Sequence, residues 1–352
     1  MDVKEPYKPV FRVLANSQDI TDTIAKYFKS MSFTDSVGIT SDMLEIVLAD
    51  TDWDKPLAIP PKGSQLEILL GYGSELTNMG MFVRDEVEIA GWPGEMIIRA
   101  RAAIYDATPQ GKTDLQSQKT RSWPKGTKLA DMAAKIASEH GMKPLVADKL
   151  RAIVLPHMSQ SEESDLNFLI RILTKYDAVV KPQAGFLILA KRGEAKSVSG
   201  VTLPGVTITP DMCSRFRYVE AARETAGTVV AYWHATKQSR RYPIKVGKGE
   251  PVRRLKMYYP TEEMALAAAR AELSRRERHQ TTVSLACVGD TDIQAEGNVS
   301  LEKWRPGVDG EWIVTRVVHT VDSQRGYQCD VELELPNEAG TPEVSLEDDG
   351  EG

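Results

Sequence analysis

The segment Ser159–Arg192 reads SQSEESDLNFLIRILTKYDAVVKPQAGFLILAKR and changes character twice. Leu166, Leu169, Ile170 and Leu173 fall at i, i+3, i+4 and i+7, the spacing of one apolar helix face. AVVKP and FLILA follow on either side of QAG, which predicts a hairpin after the helix. Three acids precede the stripe: Glu162, Glu163 and Asp165. Ser159 or Ser161 suits an N-cap, and Ser159 with Glu162 has capping-box spacing, which predicts a helix over 161–176. The acids then occupy the first turn, where the macrodipole favours them. No histidine lies within helical reach of them, so capping explains them better than catalysis.

Outward from this segment the pattern is mainly β. LEIVLAD (44–50) and QLEILLGYG (65–73) alternate strictly, with the turn signal AIPPKGS between them. MFVRDEVEIAGWPGEMIIRARAAIY adds two strands about GWPG, and SQDITDTIAKYFKSMSF (17–33) suggests one short helix. GTKLADMAAKIASEHGMKP (126–144) is a further helix, with Thr127 as candidate cap and Gly141 at its end. The last third returns to strands, of which YQCDVELEL (327–335) is half-buried; one helix, 261–279, interrupts them. The fold class is therefore α+β, mainly β. Residues 1–105 are expected to form a first β-barrel, 106–198 an α/β insert, and 199–336 a second barrel.

The chain has 352 residues, enough for two or three domains, and 41% are hydrophobic against 27% charged. No apolar run approaches the ~20 residues of a membrane span, and the amino terminus does not read as a cleaved signal. Cys213, Cys287 and Cys329 are odd in number and widely spaced, which fits buried reduced thiols. The net charge of −6 resides in residues 337–352, which hold six acids and no Lys or Arg. That tail is expected to be disordered.

No catalytic or ligand constellation is legible in the sequence. The five histidines, His140, His157, His234, His279 and His319, make no metal-ligand pair in sequence. GYGS at 71–74 fails as a nucleophile elbow, no phosphate-binding glycine motif occurs, and DTDIQAEG (290–297) lacks most ligands of a calcium loop. No cofactor, metal or catalytic residue is expected. Residues 237–256 carry eight Lys or Arg against one Glu. They could face nucleic acid or an acidic partner, but a solvated hairpin accounts for them more simply. KGTKLADMAAKIASEHGMK resembles the start of a LysM peptidoglycan-binding repeat, which nothing after Gly141 continues.

The set of Gln160, Glu163, Ser164, Asp165, Leu166, Phe168, Leu169 and Arg171, followed by a small hairpin, resembles the central signature of phage late control protein D. That family covers the hubs of contractile tails and R-type tailocins and the amino-terminal part of VgrG spikes. PVFRVLANSQDIT resembles its opening strand and turn. GEWIVTRVVHTVDSQRGYQCDVELEL matches its closing strands, with His319 and Tyr327 in the marked places. The resemblance extends over about 1–336; unlike VgrG, no spike follows residue 336.

It implies a non-enzymatic baseplate hub, made in the host bacterial cytoplasm and carried in a virion tail or tailocin. It implies two tube-like barrels per chain and a homotrimeric ring joining a sixfold tail tube to a threefold spike. Other baseplate or tape-measure proteins would be neighbours, and DNA could pass the lumen without specific binding. The alternative is a peptidoglycan- or carbohydrate-binding tail module.

Overall fold

The computed structural model describes residues 8–38, 42–102, 115, 117–183, 185–193, 205–221, 227–235, 240–337 and 344–346. The chain is mainly β. Strands from both ends share a 13-stranded sheet. Its middle is the antiparallel pairing of Phe28–Ser36 with Gly310–Asp322, so the first strands of the chain are stitched to nearly the last. Outward on one side lie Met43–Ala49, Glu95–Ala102, Glu75–Ala90, Gln65–Tyr72 and Pro9–Ala15; on the other lie Gly326–Glu334, Thr281–Val288 and Cys213–Glu220. The two β-rich ends share this sheet and one core, in which Leu44, Ile46, Ile68, Val317 and Val331 are buried together.

The alternation that predicts these strands also makes their second face. On that face a cross-strand row runs Gln328, Thr320, Ser32, Glu45, Arg99. Arg99 pairs with Glu45, Glu86 and Glu88, Arg316 with Glu332, and Arg215 with Asp330. Neighbouring charges of opposite sign stabilise this wet sheet face, on which Met43 and Val288 are also exposed.

Four helices longer than one turn or placed at a junction matter here: α1 (Thr21–Ala25), α2 (Leu129–Glu139), α3 (Asp165–Leu173) and α4 (Glu262–Gln280). The short helix expected within 17–33 is only α1; the remainder is the strand Phe28–Ser36, because Met31 and Phe33 alternate into the main core. A second core holds α2, α3 and the hairpin Ala178–Gln183 and Phe186–Lys191. The third core lies under α4 and a four-stranded sheet, with Val229, Ala231, Ile244, Val246 and Leu273 buried in it.

The hairpin expected at 237–256 does not form. Arg240–Gly247 and Val252–Tyr259 lie on opposite sides of Thr228–Ala235, antiparallel and parallel to it respectively. The connection between them crosses the start of the middle strand, and this crossing needs glycine. A Cβ on Gly227 would stand 2.5 Å from the Glu250 carbonyl carbon, and one on Gly247 2.4 Å from the Gly227 oxygen. Of the tail expected to be disordered, 338–343 and 347–352 lie outside the described residues, and the piece between them departs from expectation. Val344–Leu346 is a strand paired with Arg240–Gly247, whose exposed edge offers backbone groups that local composition does not reveal.

Gly227→Ala is expected to cost about 3 kcal/mol in urea unfolding through the clash at the crossing. Gly249→Ala, at φ +81° with open space around it, should cost only about 1 kcal/mol for its left-handed backbone.

Candidate functional site: the signature helix and the buried polar junctions

The acids before α3 are not caps. Met158–Ser164 is a strand paired with Gln118–Trp123, and α3 starts only at Asp165. Ser164 is the N-cap, its hydroxyl accepting from the Asn167 amide at 3.2 Å. Glu162 sits at a bulge with φ +49°. Glu163 instead grips Arg171, which donates to both its carboxylate oxygens at 3.0 and 2.7 Å. Arg171 also donates to the Ser159 carbonyl and lies over the Phe168 ring, so one guanidinium ties strand to helix. Phe168 and Leu169 are fully buried in the second core and Leu166 packs at its margin.

Asp165 is wholly buried. Its Oδ2 accepts from Lys119 Nζ and lies 2.8 Å from His140 Nε2. Its Oδ1 accepts from Gln160 Nε2 at 2.8 Å and from Arg121. Gln160, itself buried, accepts in turn from Arg121 Nε at 2.9 Å. Burial opposes the charge, yet hydrogen bonds from His140, Lys119 and Gln160 and the Arg121 charge outweigh it and hold the Asp165 carboxyl well below its usual range. Glu139, His140 and Asp165 bring ligand-type atoms within 4.8 Å of one another. Lys119 and Arg121 already supply the positive charge there, so the cluster reads as an ion network rather than a metal cradle. The sequence contains every member of it; nothing in their spacing reveals that His140 meets Asp165.

His319 and Tyr327, the two signature residues of the closing strands, meet at 2.7 Å between Nδ1 and the phenol oxygen. His319 stacks on Phe33 and lies 3.2 Å from Cys329 Sγ. Burial pushes its pKa down to about 4, so the ring is neutral at pH 7. The Tyr327 ring occupies the place where Gly289 has no side chain: an added Cβ would come within 2.2 Å of it. The Gly289 carbonyl accepts from Tyr72, which closes a link between the two halves of the sheet. Burial likewise pushes the Cys329 thiol up to about 12, which leaves it an inert neutral group.

Sequence reasoning missed the junction where the three cores meet. Arg278, at the end of α4, is 1% exposed. Its two terminal nitrogens donate to the two Asp177 oxygens at 2.7 and 2.6 Å. Its Nε lies 3.2 Å from Glu334, and the Asn337 side-chain oxygen accepts from its Nη1. Asn337 also donates to the Arg192 carbonyl. Asp177 and Arg192 belong to the insert, and Glu334 ends a strand of the large sheet. Nearby Glu296 is pushed up to about 7, by burial first, against the opposing pull of Arg192. A second tie joins insert and sheet: Lys181 donates to Asp35 at 3.0 Å and Asp42 at 3.2 Å. Burial, with the neighbouring Asp35 charge, raises Asp42 to about 6.

Compared with known proteins, residues 87–325 match the family model described as phage tail baseplate hub (GPD). The chain belongs to that family. The probable baseplate hub proteins of Escherichia phages 186 and P2 are each 29% identical to it, over 95% of this chain and 95% of theirs. A 43 kDa tail protein of the prophage MuSo2 from Shewanella oneidensis has the same fold, with a TM-score of 0.69 and 13% identity over 93% of this chain and 98% of that one. The hub is thus a component of a phage tail baseplate. Among its described residues no helix is long and apolar enough to cross a membrane.

Two expectations follow for the hub. Asp165→Asn should lose about 3–5 kcal/mol in urea unfolding, because it strands buried donors, whereas Glu162→Gln at the exposed bulge should stay within about 0.5 kcal/mol. Glu296, raised from 4.5 to about 7, holds a proton in the folded chain that the unfolded chain has lost between those pH values. Stability therefore falls as pH rises through that window, while neutral His319 acts in the opposite direction between about 4 and 6.5. The difference between wild type and Glu296→Gln isolates the first effect; it should change by about 3 kcal/mol from pH 4.5 to 7.5.

Proposed function

We propose that the hub acts without catalysis, as a homotrimeric ring that joins a sixfold tail tube to a threefold spike. What supports this most is the sheet: two strand lobes in one chain meet at Phe28–Ser36 and Gly310–Asp322. If each lobe is one tube-like barrel, three chains offer six docking positions. Closed cyclic symmetry is the usual solution for such head-to-tail interfaces, because an interface that fails to close grows a filament.

The sheet face on which Arg99, Arg316 and Arg215 meet five carboxylates suits the lumen: a face without excess positive charge does not hold a polyanion. DNA, in a particle that carries it, would pass without specific binding. Trp53 and Trp92 contact each other with tilted rings, centroids 4.9 Å apart, near the turn between Glu75–Ala90 and Glu95–Ala102, and Trp92 is 81% exposed. An exposed aromatic pair is suited to anchor a tube, spike, tape-measure or other baseplate protein. On this reading Gln160, Glu163, Ser164, Asp165 and Arg171 of the signature serve rigidity rather than contact. The particle would be a contractile tail or a tailocin, its hub made in the host cytoplasm.

Mixed with its cognate spike, the hub should give a three-hub ring in cryo-EM or mass photometry. Complexes with one or two hubs per spike and no threefold ring would contradict the proposal. Trp92→Ala should weaken a tube or spike contact by about 2 kcal/mol while leaving the melting temperature of the isolated chain unchanged.

A further inference from the structure

The basic segment and the C-terminal tail meet where Val344–Leu346 pairs with Arg240–Gly247. In the four-stranded sheet the order is Val252–Tyr259, Thr228–Ala235, Arg240–Gly247, Val344–Leu346, with the tail strand outermost. Its register sets Leu346 opposite Ile244, Ser345 opposite Lys245 and Val344 opposite Val246. The strand it covers carries Arg240, Arg241 and Lys245, with Lys248 just beyond; the tail sequence brings Glu343 before its strand and Glu347, Asp348 and Asp349 after it.

From this pairing we infer that the outer edge of Arg240–Gly247 is a strand-addition site for an extended acidic segment, filled in the single chain by its own C-terminus. Main-chain hydrogen bonds supply affinity in this mode of recognition, and the flanking charges select an acidic strand over others. Three paired residues are few. Such a pairing belongs to the low-stability end of the molecule and opens without unfolding the rest. The edge beneath is otherwise a liability: Ile244 and Val246 are fully buried in the third core, and the unpaired backbone beside them would template association with another chain. The tail therefore works as a latch that closes this edge in cis and can be traded for an acidic strand in trans. The inference holds whether or not the hub forms a ring.

The test is amide hydrogen exchange on the full chain, on a chain ending at Asn337, and on Val344→Pro/Leu346→Pro in the full chain. The truncation keeps Asn337 because it belongs to the Arg278 junction. Amides of residues 244–246 that face the tail should exchange at least about tenfold faster in both variants than in wild type, with the protection of Leu285 and Val331 unchanged. A synthetic peptide of residues 341–352 should restore the protection to the truncated chain, less well at high salt, and a peptide of the same composition in scrambled order should not. Equal exchange at 244–246 in all three chains would overturn the inference. So would equal rescue by the two peptides.

Discussion

Arg278 is the side chain on which the arrangement of the molecule depends. A guanidinium buried to 1% exposure is costly unless its donors are matched, and its planar fork fits the two Asp177 oxygens while Nε faces Glu334. Those partners come from different cores, so one cation registers the insert, the α4 unit and the large sheet against each other. The junction holds two arginines, Arg278 and Arg192, and three carboxyls, Asp177, Glu296 and Glu334. Burial raises both glutamates toward the neutral form, and a proton on Glu296 brings the cluster to balance.

The same division of labour recurs elsewhere. The cores are apolar and tolerant of small shifts, while the junctions are polar and directional: Lys181 with Asp35 and Asp42, Asp165 with Lys119, Arg121 and His140, His319 with Tyr327. A misaligned apolar contact loses a little area; a misaligned buried ion pair leaves a charge without a partner. α4 shows the principle along one element. Met264, Ala265, Ala268 and Leu273 meet the third core, Ala267 packs on the second, and Arg278 closes the junction. Polar junctions of this kind fix the orientation of the parts they join.

How far the sequence showed this depends on range. Local period was enough for α3, for the hairpin after it and for the alternating strands, because each signal lies within one element. The family resemblance was legible in the ordered signature from Gln160 to Arg171 with His319 and Tyr327. The role of the acids was not. Met158–Ser164 became a strand because its partner lies some 40 positions earlier, and Asp165 found cations at 119 and 121 that no local rule connects to it. The basic segment misled for the same reason, since a strand inserted between its two halves is invisible to spacing. Arg278 reads in sequence as one more charge on a basic helix; only the packing of three cores at its tip reveals it.

The central claim, that one buried guanidinium couples three cores into one rigid body, is most directly tested by native-state hydrogen exchange on Arg278→Met. Slow amides would be followed in each core: Val317 and Val331 in the large sheet, Ile172 in α3, Val229 beside α4. In the wild type all should open in one cooperative event with a common denaturant dependence. In the variant they should separate, with the insert and the α4 unit opening at lower free energy than the sheet. A variant whose three cores still open together, at uniformly reduced stability, would contradict the account.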